Sequence, residues 1–327
     1  MNKLTTMRAA VINKFGPAEN IEICSNVAIP KITEPNQILI KVEASGVNPV
    51  DTYIRSGNYN KLPQLPYTPG RDGAGVVNQV GSAVTKVRPG DRVWFTLPTT
   101  GSAAEYALTS SNVFCLPDCL TFAEGSRLGI PFMTAYRALV LRGQAKKGDK
   151  ILIHGASGSV GVAAVQLANM YGMIVVGTAG SGDGLNLVKK LGAQNVFNHR
   201  SGSYVNEIKE KYPEGFDLIL EMAAHINLSH DLGLLKKNGR IGVIGCRGDV
   251  NISPRQLMSS ETTIFGVMLG HSTPEEFEQM GLEITSLLNS ECKPLVSRVY
   301  ALDEISKAHE HIINNDTTLG SITLELR

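Results

Sequence analysis

Apolar residues in the second half of the chain form short runs that alternate with segments of helical spacing. Continuous apolar runs are typical of strands buried on both faces, whereas apolar positions three and four residues apart indicate helices. The pattern predicts strands at 150–154, 174–178, 196–198, 217–221, 240–245 and 263–269, and helices at 159–171, 183–191, 204–212 and 228–235. Because parallel neighbouring strands need crossover connections, this alternation predicts a doubly wound parallel sheet of six strands.

The first part of the chain has a different pattern, with short strands separated by turns and few helices. Strands are predicted at 7–12, 37–45, 73–80 and 92–95, with one helix at 49–56. The pattern changes near residue 121, and a helical segment at 131–141 begins the second module. Residues 274–288 and 302–314 read as helices and 296–300 and 321–326 as strands, and we expect this segment to return to the first module. The predicted fold class is therefore α/β, with a doubly wound domain at 123–271 and a β-rich domain at 1–122 completed by 272–327.

A glycine-rich turn links the first strand of the alternating series to its helix. The apolar run 151–153 is followed by His154-Gly155-Ala156-Ser157-Gly158, and Gly161 lies in the helix. Glycines let the backbone approach a pyrophosphate, and a helix N-terminus offers unpaired N–H groups and the positive end of its dipole. Since the turn stands between a strand and a helix, it predicts dinucleotide binding. Ala156 stands at the first fingerprint position, and the alternative is an ordinary tight turn.

Composition limits the classes of function. The 327 residues, 43% of them hydrophobic, suffice for about two domains with a sizeable core. A net charge of +1, from 31 basic and 30 acidic side chains, provides no field of one sign to attract nucleic acid or a membrane. The first residues lack the apolar core of a signal peptide, and no run of about 18 apolar residues occurs, so we expect a cytoplasmic protein.

The five cysteines are scattered, which favours reduced thiols over a disulfide framework. Cys115 and Cys119 lie four residues apart, but no second cysteine pair or cluster of histidines completes a metal site with them. We therefore expect no metal there.

The end of the second strand of the series bears on the choice of cofactor. Folds that prefer NAD carry an acid about 20 residues after the glycine-rich turn, where it binds the ribose 2′-hydroxyl. Here the strand is followed by Gly180 and Ser181, and the first carboxylate is Asp183. His199 and Arg200, after the third strand, could donate hydrogen bonds to a 2′-phosphate; the alternative is that both are solvated loop residues. We predict NADPH as the cofactor.

Longer motifs carry a family resemblance. They are GVNPVDTYIRSG at 46–57, LPYTPG at 65–70, GIPF at 129–132, TAYRAL at 134–139, HGASG at 154–158 and FNHR at 197–200. Over nearly its whole length the chain resembles the zeta-crystallin-like quinone oxidoreductases, the zinc-free branch of the medium-chain dehydrogenase/reductase superfamily. The resemblance implies a GroES-like catalytic domain, a Rossmann domain that binds NADPH, and hydride transfer to a small quinone.

The same resemblance bears on zinc. Where the alcohol dehydrogenases of the superfamily place cysteine, histidine and cysteine ligands, this sequence has Asn48, Arg71 and Ile130. Arginine does not ligate Zn²⁺ at neutral pH, and isoleucine has no donor atom. Without a Lewis acid an alcohol is difficult to oxidise, whereas a quinone is electrophilic enough to accept hydride directly. We therefore predict no metal and the reduction of an activated acceptor.

Site residues are also implied by the resemblance. It places Tyr53 beside the nicotinamide and Asn48 close by, where a hydroxyl or an amide can hydrogen-bond a carbonyl or a developing oxyanion. From the residues alone, Asn48 is also compatible with a turn and Tyr53 with an ordinary buried tyrosine. The implied cofactor contacts are Tyr53, Thr134, Ser157, Gly158, Ser159, Val160, Gly180, His199, Asn227, Ile244, Gly245, Cys246, Arg247, Val267, Met268 and Leu269.

Other readings stay open. An α,β-unsaturated carbonyl also accepts hydride, so an enone reductase is the enzymatic alternative. Relatives are associated with AU-rich RNA, so an RNA-binding protein that uses the nucleotide cleft is the non-enzymatic one, although no RNA-module signature or basic stripe occurs. His154 is expected to be structural, and Asp217 and Glu221 receive no catalytic role. We expect a homodimer or homotetramer, because the apolar run 262–269 would form an exposed last strand able to pair with a copy of itself.

Overall fold

The computed structural model describes residues 5–288, 292–314 and 319–326. The chain divides into two compact units. The first unit contains Met1–Ile130 and Glu275–Arg327, and the second contains Pro131–Pro274. The boundaries expected from the sequence, after residue 122 and before residue 272, stay a prediction.

Strands and helices are numbered in chain order. The strands are β1 Thr6–Ile12, β2 Ile21–Ala28, β3 Ile38–Val47, β4 Asp72–Val80, β5 Arg92–Thr96, β6 Tyr106–Thr109, β7 Val113–Cys115, β8 Lys150–Ile153, β9 Ile174–Ala179, β10 Asn195–Asn198, β11 Phe216–Glu221, β12 Leu235–Val243, β13 Thr263–Gly266, β14 Val296–Ala301 and β15 Ser321–Glu325. The helices are α1 Pro49–Ser56, α2 Phe122–Gly125, α3 Met133–Tyr136, α4 Ser159–Met170, α5 Gly182–Lys190, α6 Tyr204–Lys211, α7 Ala224–Asp231, α8 Pro254–Ser260, α9 Pro274–Leu287 and α10 Ile305–Asn314.

The second unit is built on a parallel sheet of six strands in the order β10-β9-β8-β11-β12-β13. Counted from β8 this is 3-2-1-4-5-6, the order of dinucleotide-binding folds. Consecutive residues of β8, Ile151, Leu152 and Ile153, are all completely buried. Since successive side chains point to opposite faces, both faces of the sheet are covered. The predicted doubly wound parallel sheet is confirmed.

The first unit contains a mixed sheet in the order β14-β15-β3-β4-β5-β7, with β6 also paired to β3, and a separate pair β1–β2. The C-terminal strand β15 runs antiparallel to β3, with Ile322 opposite Val47. The C-terminal strand therefore pairs with a strand of the N-terminal module. Trp94 and Phe95 of β5 are completely buried in this unit.

Part of the sequence prediction is wrong in the second unit. The helix predicted at 228–235 lies instead at Ala224–Asp231, and β12 begins already at Leu235. Gly233 falls within the predicted helix, and an interior glycine costs about 1 kcal/mol relative to alanine. The chain turns there, with the Gly233 N–H donating to the carbonyl oxygen of His230 at 3.0 Å.

Two further elements are shorter than predicted. β13 ends at Gly266 rather than at residue 269, and it forms the edge of the six-stranded sheet. The helix predicted at 131–141 is α3, flanked by the π-helical segments Leu128–Phe132 and Arg137–Arg142. Pro131 cannot donate a helical hydrogen bond, which disfavours a regular α-helix at that point. Strands β2, β6 and β7 and helices α2 and α8 were not predicted.

Candidate functional site

The turn between β8 and α4 lies at the carboxyl edge of the six-stranded sheet. β8 ends at Ile153, and α4 begins at Ser159 after the N-cap residue Gly158. Gly155 has φ +59°, a left-handed conformation that glycine adopts without steric penalty. A Cβ at Gly161 would be 2.4 Å from the carbonyl oxygen of Gly155. Glycine at this position therefore lets the helix pack closely against the turn, as in dinucleotide-binding folds.

The first turn of α4 fits a pyrophosphate. Its N-cap is glycine, so no N-cap side chain occupies the helix end, and the first N–H groups of a helix lack intrahelical acceptors. A Cβ at Gly158 would meet only the Gly155 oxygen, at 3.5 Å. Ala156 is completely buried, so its methyl group does not occupy the open side of the turn. The predicted phosphate contacts are all partly exposed: Ser157, Gly158, Ser159 and Val160.

The end of β9 carries no carboxylate. β9 is followed by Gly180 and Ser181, and the Ser181 Oγ accepts the Gly184 N–H at 3.1 Å to cap α5. A Cβ at Gly180 would be 2.6 Å from His199 Nε2 and 3.0 Å from Arg200 Nε. An imidazole and a guanidinium therefore lie where the sequence predicts the adenosine ribose. Burial and the positive charges of His154 and Arg200 lower the pKa of His199.

The ends of β12 and β13 bring further predicted contacts to the same sheet edge. The N–H groups of Ile244 and Gly245 donate to the carbonyl oxygen of Glu221 at 2.9 and 3.2 Å, and the N–H of Val267 donates to that of Val243 at 2.9 Å. Val267 and Leu269 are buried, whereas Met268 is 43% exposed. Cys246 and Arg247 are exposed.

Three ionisable side chains, the His154 cluster, are buried at this end of the sheet: His154, Glu221 and Asp231. His154 follows β8 and Glu221 ends the neighbouring strand β11, while Asp231 comes from α7. His154 Nε2 is 2.8 Å from Asp231 Oδ1 and 3.7 Å from Glu221 Oε2. The Glu221 Oε1 also accepts a hydrogen bond from Asn227 Nδ2 at 3.2 Å. Asn227, a predicted cofactor contact, therefore also holds this cluster.

Burial and mutual charge together shift the pKa values of His154 and Glu221 upwards. Burial disfavours the charged imidazole, but the carboxylates of Asp231 and Glu221 outweigh it, so the pKa of His154 is raised. Burial and the charge of Asp231 raise the pKa of Glu221 to about 7, although His154 opposes this. The donor atoms of the three residues lie within 4.8 Å of one another, a spacing compatible with a metal. In this structure two of these donor atoms, His154 Nε2 and Asp231 Oδ1, are hydrogen-bonded directly to each other.

Helix α1 carries the predicted acceptor-site residues and has the predicted bounds. Asn48 is its N-cap, and the Asn48 N–H donates to Asp51 Oδ2 at 2.8 Å in a capping box. Gly57, with φ +83°, ends the helix. Burial raises the pKa of Asp51 to about 7, against the opposing effect of the Asn48 N–H. Tyr53 lies in the middle of the helix and is partly buried.

A second buried cluster, the Arg127 cluster, consists of Asn48, Asp72 and Arg127. Asn48 Nδ2 donates to Asp72 Oδ2 at 2.9 Å, and Arg127 Nη2 donates to Asn48 Oδ1 at 2.6 Å. Asp72 also accepts from Thr96 Oγ1 at 2.8 Å and from the Ile130 N–H at 2.9 Å. Burial raises the pKa of Asp72, and Arg127 opposes this.

These residues do not fit a zinc ion. By the family resemblance, Asn48 and Ile130 stand at two positions that hold cysteine ligands in the zinc-dependent dehydrogenases. The Ile130 side chain has no donor atom, and its backbone N–H donates to Asp72. The Asn48 Oδ1 accepts a hydrogen bond from Arg127, and Asn48 Nδ2 donates one to Asp72. The Arg127 guanidinium lies 4.0 Å from the Asp72 carboxylate. A buried cation beside the site would repel Zn²⁺, which binds thiolate, imidazole and carboxylate donors.

The structure brings most predicted cofactor contacts to one sheet edge, after β8, β9, β10, β12 and β13. Thr134 is buried in α3, which packs on α4, whereas Asn48 and Tyr53 belong to the first unit. Sequence reasoning missed Arg127, Asp231 and Asp51. Only Asp51 had a local signal, since an acid three residues after Asn48 is typical of a capping box.

Comparisons with known proteins agree with this architecture. The alcohol dehydrogenase GroES-like domain model matches residues 34–139, and the zinc-binding dehydrogenase model matches residues 159–286. The quinone oxidoreductase of Homo sapiens is 45% identical over 328 residues, which covers 98% of each chain. The chain belongs to the quinone oxidoreductase family. This family lies within the medium-chain dehydrogenase/reductase superfamily, and the predicted GroES-like and Rossmann architecture is confirmed.

Solved structures related to this quinone oxidoreductase family member share its fold. A mycobacterial protein solved in complex with NADPH is 27% identical, with a TM-score of 0.88 over 98% of this chain and 100% of that one. A quinone oxidoreductase from Pseudomonas syringae is 26% identical, with the same TM-score of 0.88 and coverage of 98% and 100%. Among the described residues, no helix has the length and apolar character needed to cross a membrane.

Proposed function

We propose that this member of the quinone oxidoreductase family reduces quinones by hydride transfer from NADPH, without zinc. The Arg127 cluster is the observation that supports this most strongly. A position that holds a metal ligand in zinc-dependent relatives is an asparagine here, and its amide is hydrogen-bonded to a carboxylate and a guanidinium. An acceptor that needs no Lewis acid is therefore the appropriate substrate.

NADPH is favoured over NADH by the end of β9. A carboxylate after this strand would repel a 2′-phosphate, and none precedes Asp183 of α5. The His199 ring and the Arg200 guanidinium lie against Gly180 and can donate to phosphate oxygens. Ser157, Gly158, Ser159 and Val160 would hold the pyrophosphate at the N-terminus of α4.

The side chains of α1 would act on the acceptor. When bound, the nicotinamide supplies the hydride. Asn48 Nδ2 carries two hydrogens, and Asp72 accepts one of them. The second can donate to the quinone oxygen on which negative charge develops, and the Tyr53 hydroxyl is assigned the same role. Because water can protonate the product, no dedicated acid is assigned.

A substrate panel tests this function. We expect NADPH-dependent turnover of small quinones such as 1,4-benzoquinone to exceed that of simple enones. Tyr53→Phe should lower kcat/KM for quinones roughly fivefold, since a hydrogen bond is worth about 1 kcal/mol. Tyr106→Phe, which removes a hydroxyl from β6, is the matched control and should leave the rate unchanged.

Three outcomes would contradict the proposal. A clear preference for enones would make the protein a double-bond reductase. NADH as efficient as NADPH would remove the cofactor assignment. Tight AU-rich RNA binding displaced by NADPH, with no turnover of any acceptor, would indicate the RNA-binding alternative.

We also propose a cytoplasmic homodimer or homotetramer that pairs through β13. This strand is the edge of the six-stranded sheet, and an unpaired strand edge is a template for association with a second copy. Light scattering of the purified chain should give at least twice the 35.1 kDa monomer mass. A monomer at micromolar concentration would contradict this assembly.

A further inference from the structure

The hydroxyl of Thr178 lies between two histidines. Thr178, in β9, is completely buried. Its Oγ1 is 3.4 Å from His154 Nδ1 and 3.4 Å from His199 Nδ1, and it accepts the Gly155 N–H at 3.2 Å. A hydroxyl has one hydrogen. Thr178 can therefore donate to only one of the two rings, and the other ring must donate to Thr178 if it is to be bonded.

The protonation of His154 decides which ring receives that hydrogen. His154 Nε2 carries a hydrogen because it faces the carboxylate oxygen Asp231 Oδ1 at 2.8 Å. The buried carboxylates of Asp231 and Glu221 favour a second hydrogen on Nδ1 and raise the pKa of His154. The charged ring then donates from Nδ1 to Thr178 Oγ1, and Thr178 is left to donate its own hydrogen to His199.

His199 responds through its tautomer. Burial and the charges of His154 and Arg200 lower its pKa, so the ring is neutral and carries one hydrogen. When Nδ1 accepts from Thr178, that hydrogen must be on Nε2. Nε2 is the atom that lies 2.6 Å from the position of a Cβ on Gly180. A neutral His154 would instead take the Thr178 hydrogen, and the His199 Nε2 would become an acceptor, which cannot bond a phosphate oxygen.

We propose that His154 and Thr178 are positioning residues that fix the tautomer of His199, so that its Nε2–H is presented to the 2′-phosphate of NADPH. The buried cluster at the end of β8 thereby contributes to the choice between NADPH and NADH. This inference rests on the proposed function, in which His199 lies at the adenosine end of the cofactor.

Dissociation constants for NADPH and NADH provide the first test. Thr178→Val keeps the shape of the side chain and removes the hydroxyl. The loss of the Gly155 hydrogen bond affects the turn and should weaken both nucleotides alike, whereas the change at His199 acts only on the 2′-phosphate. We expect the NADPH preference to fall about tenfold, the effect of losing one hydrogen bond to a charged group.

Two variants serve as controls. Thr178→Ser restores the hydroxyl and should restore the preference. Thr109→Val removes a similarly buried hydroxyl from β6 in the first unit and should leave the preference unchanged. If Thr178→Val weakens both nucleotides equally, Thr178 is only structural and the inference is wrong.

The tautomer itself can be read by ¹⁵N NMR of the histidine rings in the protein without nucleotide. We expect His199, assigned with a His199→Gln variant, to be the Nε2–H tautomer in the natural protein and in Thr178→Ser, and to lose this preference in Thr178→Val. An Nδ1–H tautomer in the natural protein would overturn the inference. This measurement needs no cofactor, so a chain that bound neither nucleotide would refute the proposed function while the spectrum still decided the tautomer.

Discussion

The two buried clusters, one in each unit, neutralise their carboxylates in different ways. In the Arg127 cluster the cation is a guanidinium, which stays charged in proteins. The Asp72 carboxylate acts only as an acceptor, of hydrogen bonds from Asn48, Thr96 and the Ile130 N–H. In the His154 cluster the cation is an imidazole, and the neighbouring Glu221 has a pKa of about 7. The Arg127 cluster therefore keeps a fixed charge, whereas the His154 cluster, beside the turn between β8 and α4, can take up or release a proton.

The largest expected effect on the free energy of unfolding comes from breaking the Arg127 cluster. Arg127→Met leaves the Asp72 carboxylate buried without its cation, and removing one partner of a buried pair costs about 3–5 kcal/mol. The free energy of unfolding in urea can be followed by fluorescence of Trp94, the single tryptophan, which is buried in the same unit.

The double variant Arg127→Met/Asp72→Asn separates charge from packing. Because it removes both charges, it should be more stable than Arg127→Met alone. If the double variant is less stable, the guanidinium serves mainly to fill space, and its role as the counterion of Asp72 is refuted.

The His154 cluster should make the free energy of unfolding depend on pH. Glu221 has a pKa of about 7 in the folded protein against an ordinary value of 4.5, so the folded state binds the extra proton between these values. The contribution of this proton to the free energy of unfolding is complete below about pH 4.5 and is lost as the pH rises through 7. Glu221→Gln retains an oxygen for the Ala223 and Asn227 donors. Between about pH 5 and 8 the natural protein should lose roughly 2 kcal/mol more than this variant.

Urea denaturation followed by circular dichroism at the two pH values measures this difference. Asp51→Asn is the matched variant in the first unit, because burial raises the pKa of Asp51 to about 7 as well. Asp51→Asn should reduce the pH dependence of the unfolding transition that is followed by Trp94 fluorescence. Equal pH dependence in the natural protein and Glu221→Gln would show that Glu221 does not hold the proton.

The smallest effect is expected at the surface. Arg8 donates to both carboxylate oxygens of Asp303 at 2.8 and 3.0 Å, but the side chains are 38% and 63% exposed. Exposed pairs contribute about 0.2–1 kcal/mol, so Asp303→Asn should lower the free energy of unfolding by less than about 1 kcal/mol. A loss as large as that of Arg127→Met would show that burial is not what separates the clusters from surface pairs.

Local patterns predicted what depends on local physics. The bounds of α1, the turn around Gly155 and the six parallel strands follow from proline at a helix start, glycine between strand and helix, and apolar runs. The predicted position of α7 was wrong because the prediction followed the spacing of apolar residues and did not end the helix before Gly233. The contacts of Asp231 and Arg127 could not be predicted, since they join residues 77 and 79 positions away in the chain and depend on strand order and tertiary packing.

Zinc-independent reduction is tested most directly by measuring quinone turnover with NADPH and zinc content on one sample, before and after dialysis against a chelator. We predict substoichiometric zinc throughout and an unchanged rate. A rate that disappears on chelation and returns when zinc is added would contradict the proposed function.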